Sequence, residues 1–103
     1  LDMNPLKLSM DTAVSSLDLL PNLNEWDKAS ILDSLTISAV PETHEDASEM
    51  IDLVLPQLQH VKTFVALNAF NFITYILNYV DHVHESLIQR FSNSIISLLN
   101  KPP

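Results

Sequence analysis

No glycine occurs anywhere in the 103 residues of this chain. Average usage is about 7%, so roughly seven would be expected. Glycine is the default wherever a backbone needs positive φ: tight hairpins, strand bulges, phosphate-cradling loops and many helix C-caps. A chain without it is poorly equipped for a β-rich fold. It also lacks the glycine-dependent nucleotide-binding loops and the Gly-x-Ser-x-Gly nucleophile elbow. What remains open to it is a set of helices joined by Pro, Asn, Asp and Thr.

The rest of the composition narrows the class. The chain is 47% hydrophobic and 17% charged, too apolar for a disordered segment. It is long enough for one small domain, residues 1–103. Thirteen acids face five bases, for a formal charge of −8. The bases, Lys7, Lys28, Lys62, Arg90 and Lys101, are scattered along the chain. Contact with nucleic acid or an anionic membrane surface needs a basic patch, so neither partner is expected. Without cysteine, disulfides and thiolate metal sites are excluded. The chain starts at Leu1 with no signal peptide, which reads as a piece of a longer protein. Its most apolar run, Phe64 to Val80, is seventeen residues containing Asn68, Asn71, Thr74 and Asn78. A membrane span needs about 20 predominantly apolar residues, so this run is expected to be a buried helix.

Five helices are predicted. Asn4-Pro5 opens the first, a cap residue followed by proline at the first helical position. Leu6, Met10, Ala13, Val14 and Leu17 form one face, and Pro21 ends it. The second spans about Glu25 to Ala39, with Asn24 as N-cap. Its inner stripe is Ile31, Leu32, Leu35 and Ala39, with Trp26 anchoring its start and Pro41 closing it. The third runs from Thr43 to His60. Thr43 and Asp46 approximate a capping box, and Ala47, Met50, Ile51, Val54, Leu55 and Leu58 form the inner stripe. Pro56 lies inside that stripe. An interior proline costs about 3 kcal/mol, which six buried apolar side chains at about 1.5–3 kcal/mol each can outweigh. One kinked helix is therefore expected. The fourth, about Thr63 to Tyr79, has Val65, Ala69, Phe72, Ile73, Ile76, Leu77 and Val80 on one face. Leu67 and Phe70 widen that face, so cover on more than one side is expected. The fifth, about His84 to Leu99, carries Leu87, Ile88, Phe91, Ile95, Leu98 and Leu99, with Lys101 and Pro102-Pro103 at its end.

The first, third and fifth helices start near Pro5, Thr43 and His82, roughly 38–39 residues apart. That is just under the 40–47 typical of helical-pair repeats. Two pairs and an extra helix suit a slice of a solenoid, in which each unit buries its apolar face on the next. A compact five-helix domain is the alternative.

The order of several short motifs then points to a family. Leu1-Asp2-Met3-Asn4-Pro5, Leu23-Asn24-Glu25-Trp26, Ile31-Leu32-Asp33-Ser34-Leu35, Val54-Leu55-Pro56-Gln57-Leu58-Gln59-His60 and Phe64-Val65-Ala66-Leu67-Asn68-Ala69 occur in sequence. Together they resemble the trunk of the β-type large chains of clathrin adaptor complexes. Asp27 stands where that family prefers glycine, and the stretch from Pro41 to Asp46 is more acidic than usual. The resemblance implies an all-α HEAT/armadillo-like superhelix and a non-enzymatic scaffold role in vesicle-mediated protein transport. It further implies the other subunits of a heterotetrameric adaptor as partners. The setting it implies is cytoplasmic, peripheral on coated vesicles, at the trans-Golgi or plasma membrane. No cofactor is implied. Other HEAT/armadillo scaffolds, a stand-alone helical binding domain and a helical-bundle metalloprotein are the rival readings. An isolated slice with open ends is expected to self-associate.

Candidate chemistry is sparse. His82-x-x-Glu85 would set an imidazole and a carboxylate on one helical face, yet the inner stripes lack the carboxylates of a di-metal bundle. His44, His60, His82 and His84 read as solvated loop residues. Glu42, Glu45, Asp46, Glu49 and Asp52 read as acids stabilising a helix start rather than catalytic pairs. One stripe stands out on the fourth helix: Asn68, Asn71, Thr74 or Tyr75, and Asn78, three to four residues apart. Neutral amides on such a wall could hold the backbone of another protein segment. Asn68, Asn71 and Asn78 are therefore the candidate protein-contact residues, with a merely exposed polar face as the plainer alternative.

Overall fold

The architecture follows from how a glycine-free chain stops its helices. The computed structural model describes residues 10–39, 41–79 and 85–100. No described residue has positive φ. Helices end instead in extended residues or tighten into 3-10 turns. Five α-helices result among the described residues: α1 Met10–Asp18, α2 Glu25–Ser38, α3 His44–Val54, α4 Thr63–Tyr79 and α5 Glu85–Leu99. A 3-10 turn at Leu20–Asn22 contains Pro21, and a second 3-10 segment, Leu55–Gln59, follows α3. No strand element is present among the described residues, and the fold is all-α.

The local signals at helix starts are used as the sequence suggests. The Asp27 N–H donates to Asn24 Oδ1 at 2.8 Å. The Asp46 N–H donates to Thr43 Oγ1 at 3.0 Å. Asp46 Oδ2 in turn accepts from the Glu42 N–H at 3.2 Å, one residue earlier than a capping box would place that bond. The acids around Thr43 therefore include a working cap.

One sequence expectation needs correction here. The third helix does not continue as α-helix to His60. Its α-register ends at Val54 and tightens into 3-10 over Leu55–Gln59. Pro56 has no N–H to return to the preceding turn, and the tighter winding still buries Leu58. Trp26, expected to anchor the start of α2, does so from the surface. It is 70% exposed and stacks on Phe64, ring centroids 5.0 Å apart. Six positions at about 100° each turn it roughly 120° from Leu32, off the buried stripe. The proposed start of the first helix at Pro5, and Val80, His82, His84 and Lys101, lie outside the described residues.

Packing is in two layers. α1 lies against α3, and α5 against the 3-10 segment that extends α3; α2 lies against α4 in the second layer. α1 with α2, and α3 with α4, join the layers. The extents of 52 × 31 × 18 Å describe a slab about two helices deep, given interaxial distances of about 8–10 Å. The helices are stacked as pairs in a row, a HEAT-like arrangement. One cluster runs through the slab. It takes Ala13 and Leu17 from α1, Leu32 and Leu35 from α2, Ala47, Met50, Ile51 and Val54 from α3, Val65, Ala69, Phe72, Ile73 and Ile76 from α4, and Leu87 from α5.

The ends of the row are less well covered. Leu77 and Ile31 are only partly buried. Leu67 and Phe70, expected to be covered, are exposed, as are Ile88, Ile96 and Leu99 on α5. Gln59 Nε2 donating to the Ser94 carbonyl at 2.9 Å and an Arg90–Asp52 ion pair tie α5 down. Both members of that ion pair are about half exposed, so it contributes little, about 0–1 kcal/mol.

Candidate functional site

The candidate amides lie along the seam between α2 and α4, and the geometry of that seam decides what each can do. Three contacts set its register. Trp26 stacks on Phe64 where the two helices start. Asn68 Nδ2 donates to the Ala29 carbonyl at 3.2 Å. The Tyr75 hydroxyl donates to the Ala39 carbonyl at 2.8 Å. Positions on both helices rise together, so α2 and α4 run parallel. The two hydrogen bonds join residues 39 and 36 apart in sequence, close to the roughly 38–39 residues that separate the helix-pair starts.

This register divides the predicted stripe. Asn68 is half-buried and its amide nitrogen is engaged within the chain. Tyr75 is half-buried, and its hydroxyl satisfies the carbonyl at the C-cap of α2. Asn71 and Asn78 are exposed, on the solvent side of the seam. Ile37, on the outer face of α2, is also exposed, and Tyr79 packs its ring against Tyr75 at 5.8 Å. The exposed aromatic at the head of the seam is what the sequence reading missed. A signal for it exists: Trp26 and Phe64 each lie at the start of a helix, one repeat interval apart.

Burial, and secondarily the neighbouring Tyr79, raises the Tyr75 hydroxyl above its ordinary pKa of 10.0. The folded state thus favours the protonated phenol, while the unfolded chain ionises first. This contribution to stability is whole below pH 10 and falls as the pH climbs from there through the raised value. Replacing Tyr75→Phe should cost about 1 kcal/mol at neutral pH. It should also make the alkaline loss of stability shallower, as read from urea midpoints at pH 8, 10 and 11.

On the other flank of α4, His60, Thr63, Ala66, Leu67 and Phe70 with Leu98 of α5 line an open, mainly apolar groove of about 280 Å³. Phe70 and Phe91 approach to 5.9 Å beside it. Among the described residues no group of three His, Cys, Asp or Glu is placed to hold a metal ion. Nor is any helix there long and apolar enough to cross a membrane.

Comparison with known proteins fits this geometry. Residues 2–77 match the family model Cnd1, described as non-SMC mitotic condensation complex subunit 1. The chain is 51% identical over 102 residues to the AP-2 complex subunit beta of Saccharomyces cerevisiae, covering 99% of this chain. It is 33% identical over 107 residues to the AP-1 complex subunit beta-1 of the same organism. In both cases it spans about 15% of the relative's length. No solved structure matches.

Proposed function

Because this chain belongs to the β-adaptin family and, over residues 2–77, to the Cnd1 family, we propose that it is a non-catalytic scaffold segment of an adaptor-complex β subunit. Its role is to position other subunits of a heterotetrameric clathrin-associated coat during vesicle-mediated protein transport. It works in the cytoplasm, reaching coated vesicles at the trans-Golgi or plasma membrane through the assembled complex. The observation that carries this reading is the identity of 51% across 99% of the chain, joined to a row of helix pairs with polar, exposed residues along one seam. Stacked pairs give a stiff curved wall, and such a wall acts by presenting surface rather than by chemistry. Within it, Asn71 and Asn78 are the protein-contacting amides, while Asn68 holds α4 to α2.

The Cnd1 match supports a second reading, a subunit of a condensation complex. Affinity purification of the full parent chain, with subunits identified by mass spectrometry, separates the two. Three further adaptor subunits in equal amount are expected. Recovery with SMC-associated subunits, or of the chain alone, would overturn the adaptor reading.

A further inference from the structure

We infer that the apolar groove between α4 and α5 is the seat of one more helix of the parent chain, the second helix of the pair that α5 begins. That helix follows Pro103, is amphipathic and runs parallel to α4. Its seat depends on the repeat geometry and is the same whichever complex the chain serves.

α5 begins a pair that has no second helix among the described residues. α1 lies on α2 and α3 lies on α4, while α5 continues the layer of first helices against the 3-10 segment that extends α3. Burial records the difference. α3 buries Ala47, Met50, Ile51 and Val54. α5 is longer and buries Leu87, with Ile88, Ile96 and Leu99 left exposed.

The way α4 sits on α2 shows where the missing helix would go. Buried residues of the two helices correspond at one constant interval: Leu32 with Ala69, Leu35 with Phe72 and Ala39 with Ile76. The same interval carries Trp26 onto Thr63 and Ala29 onto Ala66. Trp26 and Ala29 are contacted by α4, through the ring of Phe64 and the amide of Asn68. Thr63 and Ala66 line the groove, together with His60, Leu67, Phe70 and Leu98. The flank of α4 that should meet a following helix is therefore the flank that lies open and apolar. Leu98 forms the other wall near the end of α5, much as the 3-10 segment after α3 lies against α4.

The shape and the tether define the occupant. From Thr63 to Phe70 the groove runs about 10.5 Å along α4. A parallel helix meets that length with apolar side chains at i, i+3 or i+4, and i+7. The chain passes from first helix to second within a few residues, from Asp18 to Glu25 and from Gln59 to Thr63. A segment just beyond Pro103 thus reaches the groove, at an effective concentration of about millimolar for so short a connection. The relatives are long enough to supply it, since this chain spans about 15% of each. A second copy is the poorer occupant, because two chains of formal charge −8 repel one another.

The test uses the full parent chain in its native complex. Leu67→Cys places a thiol on the groove, and its alkylation is followed by mass spectrometry of the peptide that carries it. Leu67 is 55% exposed here, so an open groove would leave alkylation as fast in the folded chain as in urea. A seated helix should slow it at least about tenfold. Benzoylphenylalanine in place of Phe70 then identifies the occupant by photocrosslinking. The expected partner peptide belongs to the same chain, within about 40 residues after Pro103. With light and heavy isotopic chains mixed, each crosslinked pair should carry a single isotope. The two positions are independent, so failure of one variant to assemble leaves the other to decide. Alkylation at the urea rate would overturn the inference. So would absence of a crosslink, or a crosslink to another subunit, to a second copy or to a segment ahead of Leu1. A crosslink to another adaptor subunit would still leave the scaffold reading standing. SMC-associated subunits in the purification would remove that reading and leave the seated helix.

Discussion

Replacing Ile73→Asp should abolish the fold. Ile73 is fully buried in the cluster that joins the two layers. A carboxylate there would be stripped of water inside a cluster made of hydrophobic side chains. The described bases are Lys28, Lys62 and Arg90, and Arg90 is engaged with Asp52 at the surface. An unpaired buried charge costs several kcal/mol, while a domain of this size is stable by only about 5–15 kcal/mol. Its layers share one core, so the loss would not stay local. Far-UV circular dichroism should show most of the helicity gone at 25 °C. Asn71→Asp, two positions away and exposed, should change stability by no more than about 0.5 kcal/mol. A folded Ile73→Asp chain would mean that α4 is rotated from the orientation described.

What the sequence reveals of this molecule, and what it hides, divides along the line between local and tertiary causes. The caps at Asn24 and Thr43 are decided within four residues, and both are read correctly. The bounds of α4 follow from an apolar run with a clear start and end. The end of α3 is harder, because Pro56 sets the cost of staying α-helical against the gain of burying Leu58. Tightening into 3-10 secures the burial without the missing hydrogen bond, a third course that a count of apolar residues does not suggest. Leu67 and Phe70 are misjudged for another reason. Hydrophobicity records how strongly a side chain avoids water but not whether a covering surface is present beside it. The candidate stripe shows the same limit. Periodicity finds Asn68, Asn71 and Asn78, but only the packing of α4 on α2 separates the amide that donates to Ala29 from the two that face outward. The repeat interval does better, because it is itself a tertiary statement. The offset inferred from helix starts reappears in the hydrogen bonds that span the seam.

The second large effect discriminates between the two flanks of α4. Phe72 is completely buried and is the largest side chain in the core. Phe72→Ala should cost about 3–5 kcal/mol, the transfer free energy of the lost ring plus the cavity left behind. Phe72 belongs to the one cluster that all five helices share, so little relief by collapse is expected. Leu67 lies on the same helix, five residues earlier, and is 55% exposed. Leu67→Ala removes an apolar side chain of nearly comparable volume from a half-open surface, where no sealed cavity forms. Its cost should stay below about 1 kcal/mol, and the better helix propensity of alanine offsets part of that. Sequence hydrophobicity alone would rank both positions as core, so the contrast tests the structure and not the composition. The measurement is a pair of urea unfolding curves at equal slope. A midpoint for Leu67→Ala as low as that for Phe72→Ala would show that the groove beside Leu67 is closed in the folded chain. A slab with an open flank predicts the opposite, because a side chain that water already reaches has little left to lose.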